Sequence, residues 1–138
     1  MTSEVMDSQG SHITLFVEDL MLVSALFVVV AVIHLMPVVG VAGADKLTHL
    51  YGVSFSSPDA VVLMQHRAVM FGLLGGLFLY AAFDPAVQAL AWCVAMGSVV
   101  SFLVLAAGHA SGPLRKVVIA DVVALICLVV IAGIELAG

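Results

Sequence analysis

Among the residues that can carry charge or form strong hydrogen bonds in the otherwise apolar segments of the sequence, six are candidates for a shared polar cluster. They are His34, Gln65, His66, Arg67, His109 and Asp121. A charged side chain inside a bilayer is costly, so each of these groups needs a partner. Arginine and aspartate can neutralise one another, and histidine can exchange a proton near neutral pH. These residue types are therefore candidates for ion pairing, anion binding or proton binding.

The composition identifies the environment in which this chemistry would occur. Of the 138 residues, 64% are hydrophobic and 9% are charged, whereas charged residues make up about a quarter of a soluble domain. The mean hydropathy is +1.28. These values predict an integral membrane protein of one domain, and the net charge of −5 argues against nucleic-acid binding.

Four apolar segments are long enough to cross a bilayer as helices. They cover about residues 20–41, 58–83, 86–108 and 114–136, within a membrane domain of residues 18–138. Residues 1–17 are polar and predict an N-terminal tail. Leu47, Leu50 and Tyr51 recur at helical spacing, which predicts a short interfacial helix between the first two spans. The fold class is therefore all-α, a four-helix transmembrane bundle with up-down-up-down topology.

Prolines mark the helix boundaries. Pro58 follows Ser57 and Pro85 follows Asp84, so each proline stands at the first helical position behind a residue that can cap the helix. Pro37 frees the carbonyl of Ile33 and is expected to kink the first span.

The basic residues fall at one end of this bundle. Lys46, Arg115 and Lys116 lie in the connections on the same side, and Arg67 lies in the nearer half of the second span. We call this side the basic end. By the positive-inside rule the basic end is cytoplasmic, which predicts a multi-pass protein of the bacterial inner membrane with both termini outside.

The same threading places the six candidate residues near the basic end, with two interpretations. In the structural one, Arg67 pairs with Asp121, Gln65 and His66 complete the hydrogen bonds, and the protein is a non-catalytic structural or accessory component. In the functional one, the cluster binds a proton, a small anion or the headgroup of a membrane lipid. Transport would require a homo-oligomer, because four spans are few for a transporter.

A third interpretation makes His34 and His66 axial ligands of a haem. Their spacing matches no haem motif, and Cys93 and Cys127 have no metal-type spacing. No nucleophile–base arrangement is recognisable either. We therefore predict no cofactor, no metal and no catalytic residue, and the sequence identifies no protein partner.

Small residues line one side of the second span at Ala68, Gly72, Gly75 and Gly76. Such residues allow another helix to approach closely. They are expected to mediate packing within one chain or, alternatively, a dimer contact.

Several stretches also resemble a group of small bacterial four-span membrane proteins. They are HRAVMFGLLGGLFLYAAF (His66 to Phe83), LMPVVGV (Leu35 to Val41), LYGV (Leu50 to Val53) and RKVVIADVVAL (Arg115 to Leu125). The resemblance implies a four-span fold in a bacterial membrane. Some members carry an automatic label of phosphopantetheine adenylyltransferase, a soluble α/β enzyme with an H-x-G-H turn. This sequence has no such turn, so we expect no such activity.

Overall fold

The computed structural model describes residues 2–108 and 112–137, which form a helical bundle without strands. Its helices are α1 (Thr2–Leu35), α2 (Ala44–Tyr51), α3 (Pro58–Ala81), α4 (Gln88–Leu105) and α5 (Arg115–Ala137), with 3-10 helices at Met36–Ala42 and Pro85–Val87. Four segments are long and apolar enough to span a membrane, namely His12–Ala42, Pro58–Ala81, Pro85–Leu105 and Arg115–Ala137. The predicted fold class, including the short helix between the first two spans, is confirmed.

The four long helices form a ring. α1 packs against α3 and α5, and α4 packs against the same two helices. Consecutive long helices are therefore neighbours and run antiparallel, while α3 and α5 are diagonal to one another. The centre of the bundle is filled by large apolar side chains, including the fully buried Phe27, Phe78 and Leu128.

Helix α1 begins at Thr2, so the polar residues predicted to form a tail continue the first span as one helix. The described side chains from His12 to Leu20 are exposed. No proline interrupts the chain between Thr2 and Leu35, so the backbone has no reason to leave the helix where the sequence becomes apolar. The boundary at residue 17 between the polar tail and the membrane domain therefore stays a prediction, which rests on composition.

Pro37 ends the α-helix instead of kinking it. Helix α1 stops at Leu35, and the chain tightens into the 3-10 helix Met36–Ala42. The proline nitrogen cannot donate to the carbonyl of Ile33, and its ring disfavours the helical conformation of the preceding residue. The 3-10 helix packs against α3 and α2, so it directs the chain across the basic end.

The two predicted proline starts differ in their capping. Asp84 accepts a hydrogen bond from the backbone nitrogen of Ala86 at 3.0 Å and a second one from the hydroxyl of Tyr80 at 2.7 Å. Ser57 occupies the cap position before Pro58, but its side chain makes no capping hydrogen bond. Its backbone carbonyl alone accepts from Val61, at 3.1 Å.

The small residues of α3 face α1 and the 3-10 helix. A Cβ at Gly75 would lie 2.6 Å from Cγ of Leu35 and 3.2 Å from the carbonyl oxygen of Ala31, and a Cβ at Gly72 would lie 3.1 Å from Val38. Ala68 is fully buried, whereas Gly76 has no neighbour within 4 Å of its Cβ position. Three of the four predicted residues thus pack within the chain.

Candidate functional site

Arg67 lies at the basic end of α3 among aromatic rings. Its guanidinium carbon is 5.1 Å from the ring centre of Phe71, 5.8 Å from that of Phe102 and 5.9 Å from that of Tyr51. These rings belong to α3, α4 and α2, so three helices fix one side chain. Cation–π contacts of this kind contribute about 0.5–2 kcal/mol each, more as water is excluded. They orient Arg67 without neutralising its charge.

Arg67 and Asp121 line the same cavity, of about 250 Å³, which we call the Arg67 cavity. Asp121 lies two turns into α5 and is only 6% exposed. Its carboxylate makes no hydrogen bond within the described part of the chain. In that part, every fully buried side-chain nitrogen or oxygen has a partner. The carboxylate oxygens of Asp121 therefore open into the cavity.

The predicted direct pairing of Arg67 with Asp121 is not found. The described residues include no hydrogen bond or salt bridge between these two side chains, although they share the cavity. The reason is the helix arrangement, since α3 and α5 are diagonal in the bundle and each packs against α1 and α4. Both residues line the cavity at the basic end, but the predicted contact between them is absent from the described residues.

Helix α2 covers the cavity through Tyr51, which is 6% exposed. Gly52 ends the helix in the left-handed conformation, with φ of 68°, as a C-terminal glycine is expected to do. Burial raises the pKa of Tyr51; the charge of Arg67 opposes this rise, and that of Asp121 adds to it. The hydroxyl therefore keeps its proton and can donate a hydrogen bond into the cavity.

Two further polar residues lie at the rim of the Arg67 cavity, and the sequence analysis did not assign them to it. They are His49 on α2 and Lys116 on α5, and both are exposed. Lys116 was interpreted through the positive-inside rule alone. Its spacing from Asp121 gives no signal of this position, because residues five apart on a helix point about 140° apart around the axis. The neighbouring Arg115 does not line the cavity.

His34 is buried in the bundle centre, apart from the cavity. Its Nδ1 lies 2.9 Å from the carbonyl oxygen of Val30 and its Nε2 lies 3.4 Å from the hydroxyl of Ser98. The ring stacks on Phe71 at 5.5 Å and meets Phe78 edge-on at 4.8 Å. Both ring nitrogens are engaged, so this histidine does not fit the role of an axial haem ligand.

Two more of the predicted cluster residues, Gln65 and His66, do not line the cavity. Gln65 donates a hydrogen bond to the carbonyl of Val41 at 2.8 Å and so ties α3 to the end of the 3-10 helix. His66 is exposed on the outer side of α3, because adjacent residues on a helix point about 100° apart. Its assignment to the buried cluster was wrong. His109 lies outside the described residues.

A second, larger depression of about 580 Å³ lies near the opposite end, between α1, α4 and α5. It is lined mostly by apolar residues. Its polar groups are largely used, because Trp92 donates to the carbonyl of Leu128 at 2.8 Å and Gln88 donates to that of Ala81 at 3.0 Å. Acyl chains of the bilayer can fill such a groove without specific recognition. The smaller Arg67 cavity is the better candidate site, because no described residue hydrogen-bonds the side chains of Arg67, Asp121 and Tyr51 that line it.

The Arg67 cavity offers fixed charges and hydrogen-bond donors to a small polar ligand. Within the described residues, no three His, Cys, Asp or Glu side chains are grouped as a metal ion would require. The arrangement therefore suits binding through guanidinium, ammonium and hydroxyl groups.

Comparisons of this chain with known protein families, with curated proteins and with solved structures find no match.

Proposed function

We propose that this small membrane protein is a non-enzymatic binding module whose Arg67 cavity holds an anionic group, such as the phosphate of a lipid headgroup. One observation carries the proposal: the guanidinium of Arg67 faces a cavity and is held by rings, and no carboxylate among the described residues is bonded to it. An unneutralised cation at this depth is costly unless an anion or water meets it. A phosphate accepts two parallel hydrogen bonds from a guanidinium, which makes it a strong partner.

The size of the cavity limits the ligand. Its volume of about 250 Å³ is below the range of roughly 300–1,000 Å³ that is typical for sites of drug-sized molecules and cofactors. A headgroup or a small free anion suits this volume better than a nucleotide or a haem does.

The distribution of polar donors supports entry from the basic end. Lys116 and His49 stand exposed at the rim, and Arg67 and Tyr51 lie deeper. An anion would meet the rim cation first and the guanidinium second. We further propose that the basic end faces the cytoplasm of a bacterium, by the positive-inside rule, so that the ligand is drawn from the inner leaflet or the cytosol.

The proposal is tested by ligand-dependent thermal stabilisation of the protein in dodecyl maltoside. The probe is dihexanoyl phosphatidylglycerol, a short-chain anionic lipid, with inorganic phosphate as a second probe. A ligand at 100 times its Kd stabilises the folded state by about 2.7 kcal/mol. The parent protein is expected to show this rise in melting temperature, and Arg67→Gln is expected to lose it.

Arg115→Gln is the matched control, because Arg115 is a basic residue at the same end that does not line the cavity. It should keep the stabilisation. Lys116→Gln, one residue away, should weaken it. Equal stabilisation of the parent and Arg67→Gln would overturn the proposal, and so would the absence of stabilisation by both probes and by dihexanoyl phosphatidylethanolamine.

A further inference from the structure

The two opposite charges of the Arg67 cavity, unpaired with each other, point to a more defined ligand class. We infer that the ligand is a zwitterion whose phosphate lies at Arg67 and whose primary ammonium lies at Asp121. This inference rests on the proposed function and names the chemistry of the ligand that the cavity would select.

The carboxylate of Asp121 carries the argument. It is 6% exposed, opens into the cavity and has no hydrogen-bond donor in the described part of the chain. A carboxylate so placed is costly unless a cation or a proton compensates it. Arg67 lies on the same cavity but is fixed by the rings of Phe71, Phe102 and Tyr51, so it cannot close onto Asp121 without losing those contacts.

A count of charges separates the ligand classes. A simple anion would meet Arg67 but would bring a second negative charge into a cavity of about 250 Å³ that already holds Asp121. A simple cation would meet Asp121 and be repelled by Arg67 and Lys116. A molecule that carries both charges can pair with Arg67 and with Asp121 at the same time. Repulsion between like charges then disfavours ligands that carry only a positive or only a negative charge.

The donors and the size favour a primary ammonium. Such a group offers three N–H donors to a carboxylate, whereas a quaternary trimethylammonium is bulkier and offers none. The hydroxyl of Tyr51 can add a hydrogen bond to the anionic group of the same ligand. Ethanolamine phosphate, either as a lipid headgroup or as a free molecule, has this chemistry.

The test compares two short-chain lipids that differ only in the ammonium, namely dihexanoyl phosphatidylethanolamine and dihexanoyl phosphatidylethanol. Kd is measured for each by titration of the detergent-solubilised protein. The parent is expected to bind phosphatidylethanolamine about 10- to 100-fold more tightly, as charge-assisted hydrogen bonds allow. Free phosphoethanolamine is the third probe, and its binding at the same affinity would indicate a free ligand instead of a lipid.

Asp121→Asn should abolish this preference while binding of phosphatidylethanol is kept or improved. Glu135→Gln is the control, because Glu135 is an exposed carboxylate near the other end of α5. This variant should keep the preference for phosphatidylethanolamine. Equal affinity of the parent protein for the two lipids would overturn the zwitterion inference, and this comparison needs no variant to fold. If the two affinities are equal but binding of phosphatidylethanol still depends on Arg67, the proposed function stands and only the zwitterion inference fails. If neither lipid shows binding that depends on Arg67, the zwitterion inference and the proposed function both fail.

Discussion

Arg67 on α3 and Asp121 on α5 open into one cavity and form no salt bridge with each other. In a bilayer such opposite charges are expected to pair, because both are costly when isolated. Here the diagonal position of their helices and the aromatic contacts of Arg67 keep them apart. The polar layer at the basic end is therefore an open site instead of a closed ion pair.

The separation of these charges predicts a weak energetic coupling. Removing one partner of a direct buried pair costs about 3–5 kcal/mol. For groups that face a cavity without contact, we expect a coupling energy of about 1 kcal/mol or less. The measurement is a double-mutant cycle of Arg67→Gln and Asp121→Asn on thermal unfolding in detergent. A coupling as large as that of a direct buried pair would show that the two side chains make contact in solution.

The close approach of α1 and α3 depends on one glycine. Gly75→Val places a side chain against Leu35 and the carbonyl of Ala31, and overpacking of this kind costs about 1–3 kcal/mol. Gly76→Val is the matched control, because its Cβ position has no neighbour within 4 Å. We expect a lower melting temperature for the first variant only. Similar loss in both variants would indicate that Gly76 also packs, for example in a dimer.

His34 should contribute to stability and His66 should not. The His34 ring is 1% exposed, lies between Phe71 and Phe78 and hydrogen-bonds Val30. Its removal in His34→Ala leaves a cavity, so we expect a loss of about 2–4 kcal/mol in unfolding free energy. His66→Ala changes an exposed residue and should alter stability by less than about 0.5 kcal/mol. The opposite ranking in detergent unfolding experiments would contradict the assigned positions.

The turn between α3 and α4 should respond to acid. The hydrogen bonds from Tyr80 and from the backbone of Ala86 hold the pKa of Asp84 below its ordinary value of 3.8. The stabilisation from the ionised carboxylate is thus complete above that value and is lost as pH falls through the lower folded-state pKa. Melting temperatures of the parent should fall in this acid range more than those of Asp84→Asn. Parallel curves for the two proteins would exclude this contribution.

The sequence sufficed for the fold because hydropathy, length and proline position are local signals. Four spans, the short helix ending at Gly52 and the proline starts at Pro58 and Pro85 all follow from neighbouring residues. The end of the bundle that holds Arg67 and Asp121 also follows, because threading fixes the depth of each residue along its helix. The depth of a residue along its helix does not say in which direction around the helix axis its side chain points.

Rotation and lateral position account for the errors. His66 is one residue from Arg67, yet it points outward because a helix turns by about 100° per residue. Pairing of Arg67 with Asp121 was wrong because the order of helices around the ring depends on tertiary packing. Tyr51 and Lys116 were missed for the same reason, since their contribution to the cavity depends on how α2 and α5 meet.

The central claim is that Arg67 binds a phosphate group, and the most direct test is the distance from its guanidinium carbon to a phosphorus atom. Arg67 and Arg115 are the only arginines in the sequence. Arg115→Lys protein labelled with 13C at the guanidinium carbon of arginine, reconstituted in phospholipid bilayers, therefore reports on Arg67 alone. Carbon–phosphorus dipolar recoupling in solid-state NMR should give a distance of about 4 Å, as a guanidinium–phosphate contact requires. The absence of phosphorus dephasing at this carbon would contradict the account.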